Sequence, residues 1–192
     1  MKLPKLTLAT ILLTAGLMLA PQVHELLYFE HDSVMAGAWW QLLSGHFVHS
    51  DWGHWFWNAA ALGVLGSYLE GKSSMLWFAT MLAGIVSVDL LLLSGLTPVT
   101  RYCGLSGVLN TLLMVALYLY GKQTRSGWVI VAGLICLTKL TLEMISGTSL
   151  LTHIAWPPFP PAHLAGTLAG VVLILTWPWM DRRPSTDKHT AI

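Results

Sequence analysis

The side chains able to do chemistry fall into three short stretches, each set among apolar neighbours. The first runs Gly45-His46-Phe47-Val48-His49-Ser50-Asp51-Trp52-Gly53-His54-Trp55-Phe56-Trp57-Asn58. The second is Gly104-Leu105-Ser106-Gly107, and the third is Ala162-His163-Leu164-Ala165-Gly166 with Gly170 beyond it. A serine hydroxyl becomes a useful nucleophile when a neighbouring base takes its proton. A glycine-flanked serine and a histidine in a later apolar segment supply those two parts. Ionisable side chains in apolar spans are costly, so by default they mark function.

Positioning these groups falls to helices in a membrane. The 192-residue chain is 55% hydrophobic and 10% charged, with mean hydropathy +0.63, against about 25% charged residues in a soluble domain. Six apolar stretches stand out: Leu6–Ala20, Trp55–Leu69, Met75–Ser94, Leu105–Tyr120, Trp128–Ile145 and Leu164–Trp179. Several are nearer 15 than the roughly 20 residues that a lone span needs, so these must start below the membrane surface or be shielded by protein. The expectation is an all-α bundle of six transmembrane helices over residues 1–180, with a polar cytoplasmic tail at 181–192. An N-terminus in the cytoplasm puts Lys2, Lys5, Lys72, Lys122, Arg125, Arg182, Arg183 and Lys188 inside. Arg101 alone falls in an outside loop, a positive-inside bias. Several of the ten tryptophans lie near span ends, among them Trp39, Trp40, Trp52, Trp177 and Trp179, as an interfacial belt requires. The net charge of +1 gives no case for nucleic acid. Lys2, Lys5, an apolar run and Leu19-Ala20-Pro21 also fit a signal peptide. Pro21 disfavours cleavage there, and the first span is expected to stay.

Gly104 and Gly107 allow a tight turn and close approach of other chains. Ser106 then opens the fourth helix, where unpaired N–H groups and the positive dipole end favour developing negative charge. Ser106 to Tyr120 and His163 to Trp177 are each about 21 Å of helix at 1.5 Å per residue, which sets serine and histidine at one depth. Ala162, Gly166 and Gly170 recur every four residues, a small-residue stripe that lets membrane helices approach closely. His54 and Asn58, four apart on one helix face, can both donate hydrogen bonds to an oxyanion. His49 lies on the approach to that helix. His46, His49, His54 and His163 could instead ligate zinc or haem. No His-Glu-x-x-His string accompanies them, and no cofactor is called for. Cys103 and Cys136 make no disulfide framework. Cys103 lacks the helix-start setting of Ser106.

The pattern His49-x4-His54-x3-Asn58, then Gly-Leu-Ser-Gly, then Ala-His-x2-Gly-x3-Gly resembles the rhomboid intramembrane serine proteases. The motifs fall on the second, fourth and sixth stretches in that family's order. The resemblance implies a six-helix bundle with a Ser–His dyad opening to the outer side. It makes Ser106 the nucleophile, His163 the general base, and His54 and Asn58 oxyanion donors, supported by His49, Gly104, Gly107 and Gly166. The family often has Trp-Arg where this chain has Trp40-Gln41, which puts a salt bridge or hydrogen bond of the first loop in question.

A narrower likeness is to the rhombosortase branch. It rests on Gly37 to His49, on Tyr102-Cys103-Gly104-Leu105-Ser106-Gly107-Val108-Leu109, and on Lys139-Leu140-x2-Glu143. That branch implies substrates with a C-terminal glycine-rich motif, an apolar helix and a basic end. It also implies passage of the released acyl group to an amine of phosphatidylethanolamine type, at a bacterial inner membrane with the active site open to the periplasm. Lys139 and Glu143 have two readings. They neutralise each other inside the fifth span, or, with Asp89, they line the cavity and hold the substrate tail or acceptor. A catalytically dead relative and a haem or metal membrane protein are the other classes. The first would normally lack Ser106 or His163.

Overall fold

A computed structural model of the chain describes residues 3–148, 156 and 158–177. The expected tail 181–192, with Arg182, Arg183 and Lys188, lies outside the described residues, as do Lys2 and Trp179.

The architecture is all-α. Six longer helices follow the six apolar stretches: α1 (Lys5–Met18), α5 (Trp52–Lys72), α6 (Ser74–Leu93), α7 (Ser106–Thr124), α8 (Trp128–Ser146) and α9 (Pro160–Thr176). Three short helices, α2 (His24–Leu27), α3 (His31–Met35) and α4 (Gln41–Ser44), fold the first loop into a compact cap. Two of the described helices, α6 and α8, are long and apolar enough to cross a membrane alone. Lys5–Met18 and Pro21–Leu27 qualify together, but that pair is bent by 91°. The remaining long helices fall short for a physical reason. α5 carries the buried polar His54 and Asn58, α7 ends on the polar Lys122, Gln123 and Thr124, and α9 has only 17 residues. The exterior is apolar, with Phe78, Leu82 and Leu90 on α6 and Leu134, Ile135 and Leu142 on α8 all exposed.

Local chemistry sets the helix starts. Asp51 caps α5, its Oδ1 accepting from the His54 N–H at 2.8 Å. α9 starts at Pro160, one turn before the apolar stretch, because proline suits the first helical positions. His163 therefore lies in the first turn of α9. The buried face of α1 is a stripe of Thr7, Thr10 and Thr14. Trp55 and Trp77 donate to Thr14 and Thr7 at 3.0 and 3.1 Å. Glu70 of α5 accepts the Leu6 and Thr7 N–H groups at 2.9 Å each, so a neighbouring helix satisfies the N-terminus of α1.

Leu62, Leu69, Trp77, Met81, Val108 and Leu112 form the core between α5, α6 and α7. The α7–α9 seam is the closest approach. A Cβ at Gly166 would collide with the Gly107 carbonyl, and one at Gly170 would lie 2.6 Å from Met114 Cβ. Thr111 Oγ1 of α7 donates to the Gly166 carbonyl at 2.8 Å.

A two-residue antiparallel pair, β1 (Phe29–Glu30) with β2 (Arg101–Tyr102), pins the loop before α7 to the cap. No sequence periodicity announces so short a pair. Arg101 also bonds Glu30 (Nη2–Oε1 2.9 Å). Hydrogen bonds from Ser33 and then Arg101 hold the Glu30 carboxyl below its ordinary range. At the Trp40-Gln41 departure, Gln41 Oε1 accepts the Glu30 N–H at 3.0 Å and Trp40 Nε1 donates to the Leu26 carbonyl at 2.8 Å. Gln41 thus ties down the first loop with a hydrogen bond.

Candidate active site

Ser106 is the first residue of α7, and its Oγ lies 3.0 Å from His163 Nε2 on α9. The close seam described above makes that distance attainable, because bulkier residues at 166 and 170 would force the helices apart. Asn110 Nδ2 donates to the Ser106 carbonyl at 2.8 Å, one turn on.

The turn that delivers Ser106 depends on Gly104. Its φ is +104°, a region that side chains avoid, and an added Cβ would meet His54 Nε2 at 2.7 Å. Gly104 N–H donates to the Gly45 carbonyl at 3.0 Å, and Tyr102 OH donates to the Gly104 carbonyl at 3.0 Å. The missing side chain brings the His54 ring and the Asn58 amide against the turn.

His54 and Asn58 line the same cavity as Ser106 and His163. Asn58 Nδ2 is buried and has no hydrogen-bond partner. A buried unpaired donor beside a nucleophile is arranged to receive something. His54 Nδ1 lies 3.1 Å from Ser50 Oγ, which itself donates to Asp51 Oδ2 at 2.8 Å. With the Ser50 proton directed at Asp51, His54 donates through Nδ1, and a neutral ring then offers Nε2 as an acceptor. The Asn58 amide is a donor for either tautomer. His49 is buried and packs edge-on against His54, with ring centroids 5.0 Å apart. Its burial and the His54 ring push His49 down to about 3, so it is neutral at ordinary pH.

The cavity holds about 460 Å³. Trp57, Leu65, Leu109, Leu113 and Phe159 give it apolar walls. Cys103 and Cys136 also line it, and both are free thiols. Burial pushes the Cys103 thiol up to about 12, so it stays protonated and is a poor nucleophile at neutral pH.

Lys139 and Glu143 line the cavity, and they bond each other, Nζ to Oε1 at 2.6 Å. The second carboxylate oxygen is engaged as well: Glu143 Oε2 lies 3.1 Å from His163 Nδ1. An acceptor ammonium at Glu143 would have to displace Lys139 or His163. This contact was not read from the sequence, where the pair looked self-contained. The signal was present, since Leu140 and Glu143 are spaced to bury one face of α8. Asp89 departs from expectation. It is not among the residues lining the cavity, and its Oδ1 lies 3.0 Å from His46 Nε2. It sits on α6, and the Tyr102 ring packs against its partner His46. Among the described residues no three His, Cys, Asp or Glu side chains are grouped to hold a metal ion.

A family model, the Rhomboid domain, matches residues 36–179, well over half of the chain and all of the cavity's polar residues. No curated protein matches the chain.

Proposed function

This chain belongs to the rhomboid family of intramembrane serine proteases, and we propose that it cleaves peptide bonds with Ser106 as nucleophile and His163 as general base. One observation carries the assignment. Ser106 Oγ and His163 Nε2 are 3.0 Å apart in a cavity that they share with the unpaired Asn58 amide.

The steps follow from that geometry. Ser106 Oγ attacks the scissile carbonyl carbon while its proton passes to His163 Nε2. The new oxyanion accepts a hydrogen bond from the Asn58 amide, with the His54 ring and the positive N-terminal end of α7 beside it. His163 then gives the proton to the leaving amine as the C–N bond breaks. The acyl-enzyme is resolved by a second nucleophile, whose proton returns through His163 as Ser106 departs.

We propose six crossings, formed by α1 and α5 to α9, with both termini cytoplasmic and the cavity open to the periplasm of a bacterial inner membrane. The six apolar stretches and the distribution of Lys and Arg support this reading. The proposed substrates carry a C-terminal glycine-rich motif, an apolar helix and a basic end. The acyl group passes to a primary amine of phosphatidylethanolamine type more often than to water. Support comes from the rhombosortase-like stretches and from apolar cavity walls, which disfavour water. Lys139, whose side chain is about 35% exposed, is available to a head-group phosphate.

Two measurements test this. A fluorophosphonate probe is expected to label the wild type in membranes and to leave Ser106→Ala unlabelled; equal labelling would remove Ser106 as nucleophile. The mass of a processed substrate's new C-terminus is expected to include the amine. A simple hydrolysis product in membranes supplied with phosphatidylethanolamine would leave an ordinary rhomboid protease.

A further inference from the structure

We propose that Glu143 is the positioning acid of a Ser106–His163–Glu143 triad, and that Lys139 moderates its charge. The inference rests on the nucleophile–base reading above and deepens it.

The starting point is an anomaly of burial. α8 is the most exposed long helix, and its only fully covered residues among those described are Leu140 and Glu143. Glu143 is 0% exposed. A carboxylate is the last group expected on the buried face of a peripheral apolar helix, because a buried charge is costly unless it is paired. Its pairing is directional. Lys139, one turn earlier on the same helix, reaches Oε1 at 2.6 Å. His163, from a different helix, reaches Oε2 at 3.1 Å.

An ionised carboxylate can only accept hydrogen bonds, so His163 Nδ1 must donate. That leaves Nε2, the nitrogen facing Ser106 Oγ at 3.0 Å, without a proton and ready to take one. The two contacts on opposite ring nitrogens therefore select the tautomer that general-base work needs. When the proton crosses from Ser106, the resulting imidazolium faces a carboxylate at 3.1 Å. Glu143 stabilises that imidazolium through Nδ1 and touches neither substrate nor reacting atoms.

Lys139 opposes this influence. Its ammonium neutralises Glu143 in the resting state, which makes the carboxylate tolerable inside the bundle. The same charge weakens the pull of Glu143 on an imidazolium. The two residues thus act on His163 in opposite directions. The sign difference separates a working triad from a structural ion pair.

The test reads the rate of fluorophosphonate labelling of Ser106 across pH 5–9, in the full-length protein in detergent. The variants are Glu143→Gln, Lys139→Met and the double substitution. Glu143→Gln should slow labelling by about 10²–10⁴-fold, the upper figure being the known cost of removing the acid of a serine-protease triad. It should also move the acid limb of the profile to lower pH, because an imidazolium without its counter-ion forms less readily. Lys139→Met should move the limb to higher pH with a smaller change in rate. The double variant carries no unpaired buried charge. Its limb should lie between those of the two single variants while its rate falls as in Glu143→Gln, and that rate carries the test if a single variant melts early. The other titratable groups lining the cavity are His54 on α5, Arg101, Tyr102 and Cys103 before α7, and Cys136 on α8. All are unchanged in these variants, so a difference between the limbs reports on Glu143 and Lys139. An unmoved limb in Glu143→Gln, limbs moving the same way in the two single variants, or a double variant labelled at the wild-type rate would overturn the triad. If His163→Ala is inactive at the same time, the dyad survives and only the acid is lost. A wild type labelled no faster than His163→Ala would overturn the base assignment and the triad together.

Discussion

Two histidine–carboxylate pairs among the described residues join separate helical segments, and their contact lengths barely differ. His163 Nδ1 meets Glu143 at 3.1 Å, and His46 Nε2 meets Asp89 at 3.0 Å. The remaining ring nitrogen separates them. On His163 it faces a serine hydroxyl in a cavity; on His46 it is buried without a partner, with the Tyr102 ring packed alongside. His46 is 1% exposed against 14% for the His163 side chain. The first pair sits where a substrate can reach it. The second braces the turn after α4 against α6, next to Gly45, whose carbonyl accepts the Gly104 N–H. A histidine–carboxylate contact is therefore not a site by itself. Chemistry starts where the second nitrogen finds a nucleophile and space for a substrate.

Breaking one pair at a time tests that distinction. The largest effect is expected from His163→Ala. It should lower turnover on the order of 10⁴-fold or more, close to the loss in Ser106→Ala, since nucleophile and base act as a unit. A modest loss would show that Ser106 is activated by something else. Next is Asn58→Ala, where one oxyanion donor is removed. Turnover should fall about 10²–10³-fold, or about 2.7–4 kcal/mol. His54→Ala should cost less, because the tautomer that donates to Ser50 leaves its Nε2 an acceptor. A larger loss in His54→Ala than in Asn58→Ala would reverse that ranking.

Gly166→Val addresses the spacing of the active pair rather than its members. Overpacking the seam should cost about 1–3 kcal/mol of stability and slow probe labelling as Ser106 and His163 separate. A variant that melts normally and labels at full rate would show that the seam does not set the distance. The smallest effect on rate belongs to Asp89→Asn. Losing a hydrogen bond to a charged group should cost about 1–3 kcal/mol, read as a lowered melting temperature. The labelling rate of the folded fraction should be unchanged. A rate loss without a stability loss would move Asp89 into the catalytic apparatus and collapse the contrast between the two pairs.

Much of the site was legible because its signals are local. A serine between glycines at a helix start, a histidine four residues before an asparagine, and small residues at every fourth position can each be read within one or two turns. The six apolar stretches marked helices in the same way. The misreadings concern partners far apart in the chain. Asp89 was grouped with Lys139 and Glu143 as a lone acid in an apolar span, yet it serves His46, 43 residues away in sequence. Glu143 looked satisfied by Lys139 because a one-helix view counts only one of its two oxygens. The short β1–β2 pair and the three small helices of the cap carried no periodic signal at all.

The sequence alone determined an apolar helical chain, the candidate nucleophile and base, and the glycines that let two helices touch, since each follows from residue type and helical spacing. Only the tertiary structure decided which carboxylate belongs to which histidine. That choice depends on how α6 and α8 are rotated and packed against their neighbours. Rotation of a helix about its axis directs a side chain toward one neighbour or another without changing a single local interaction along the chain.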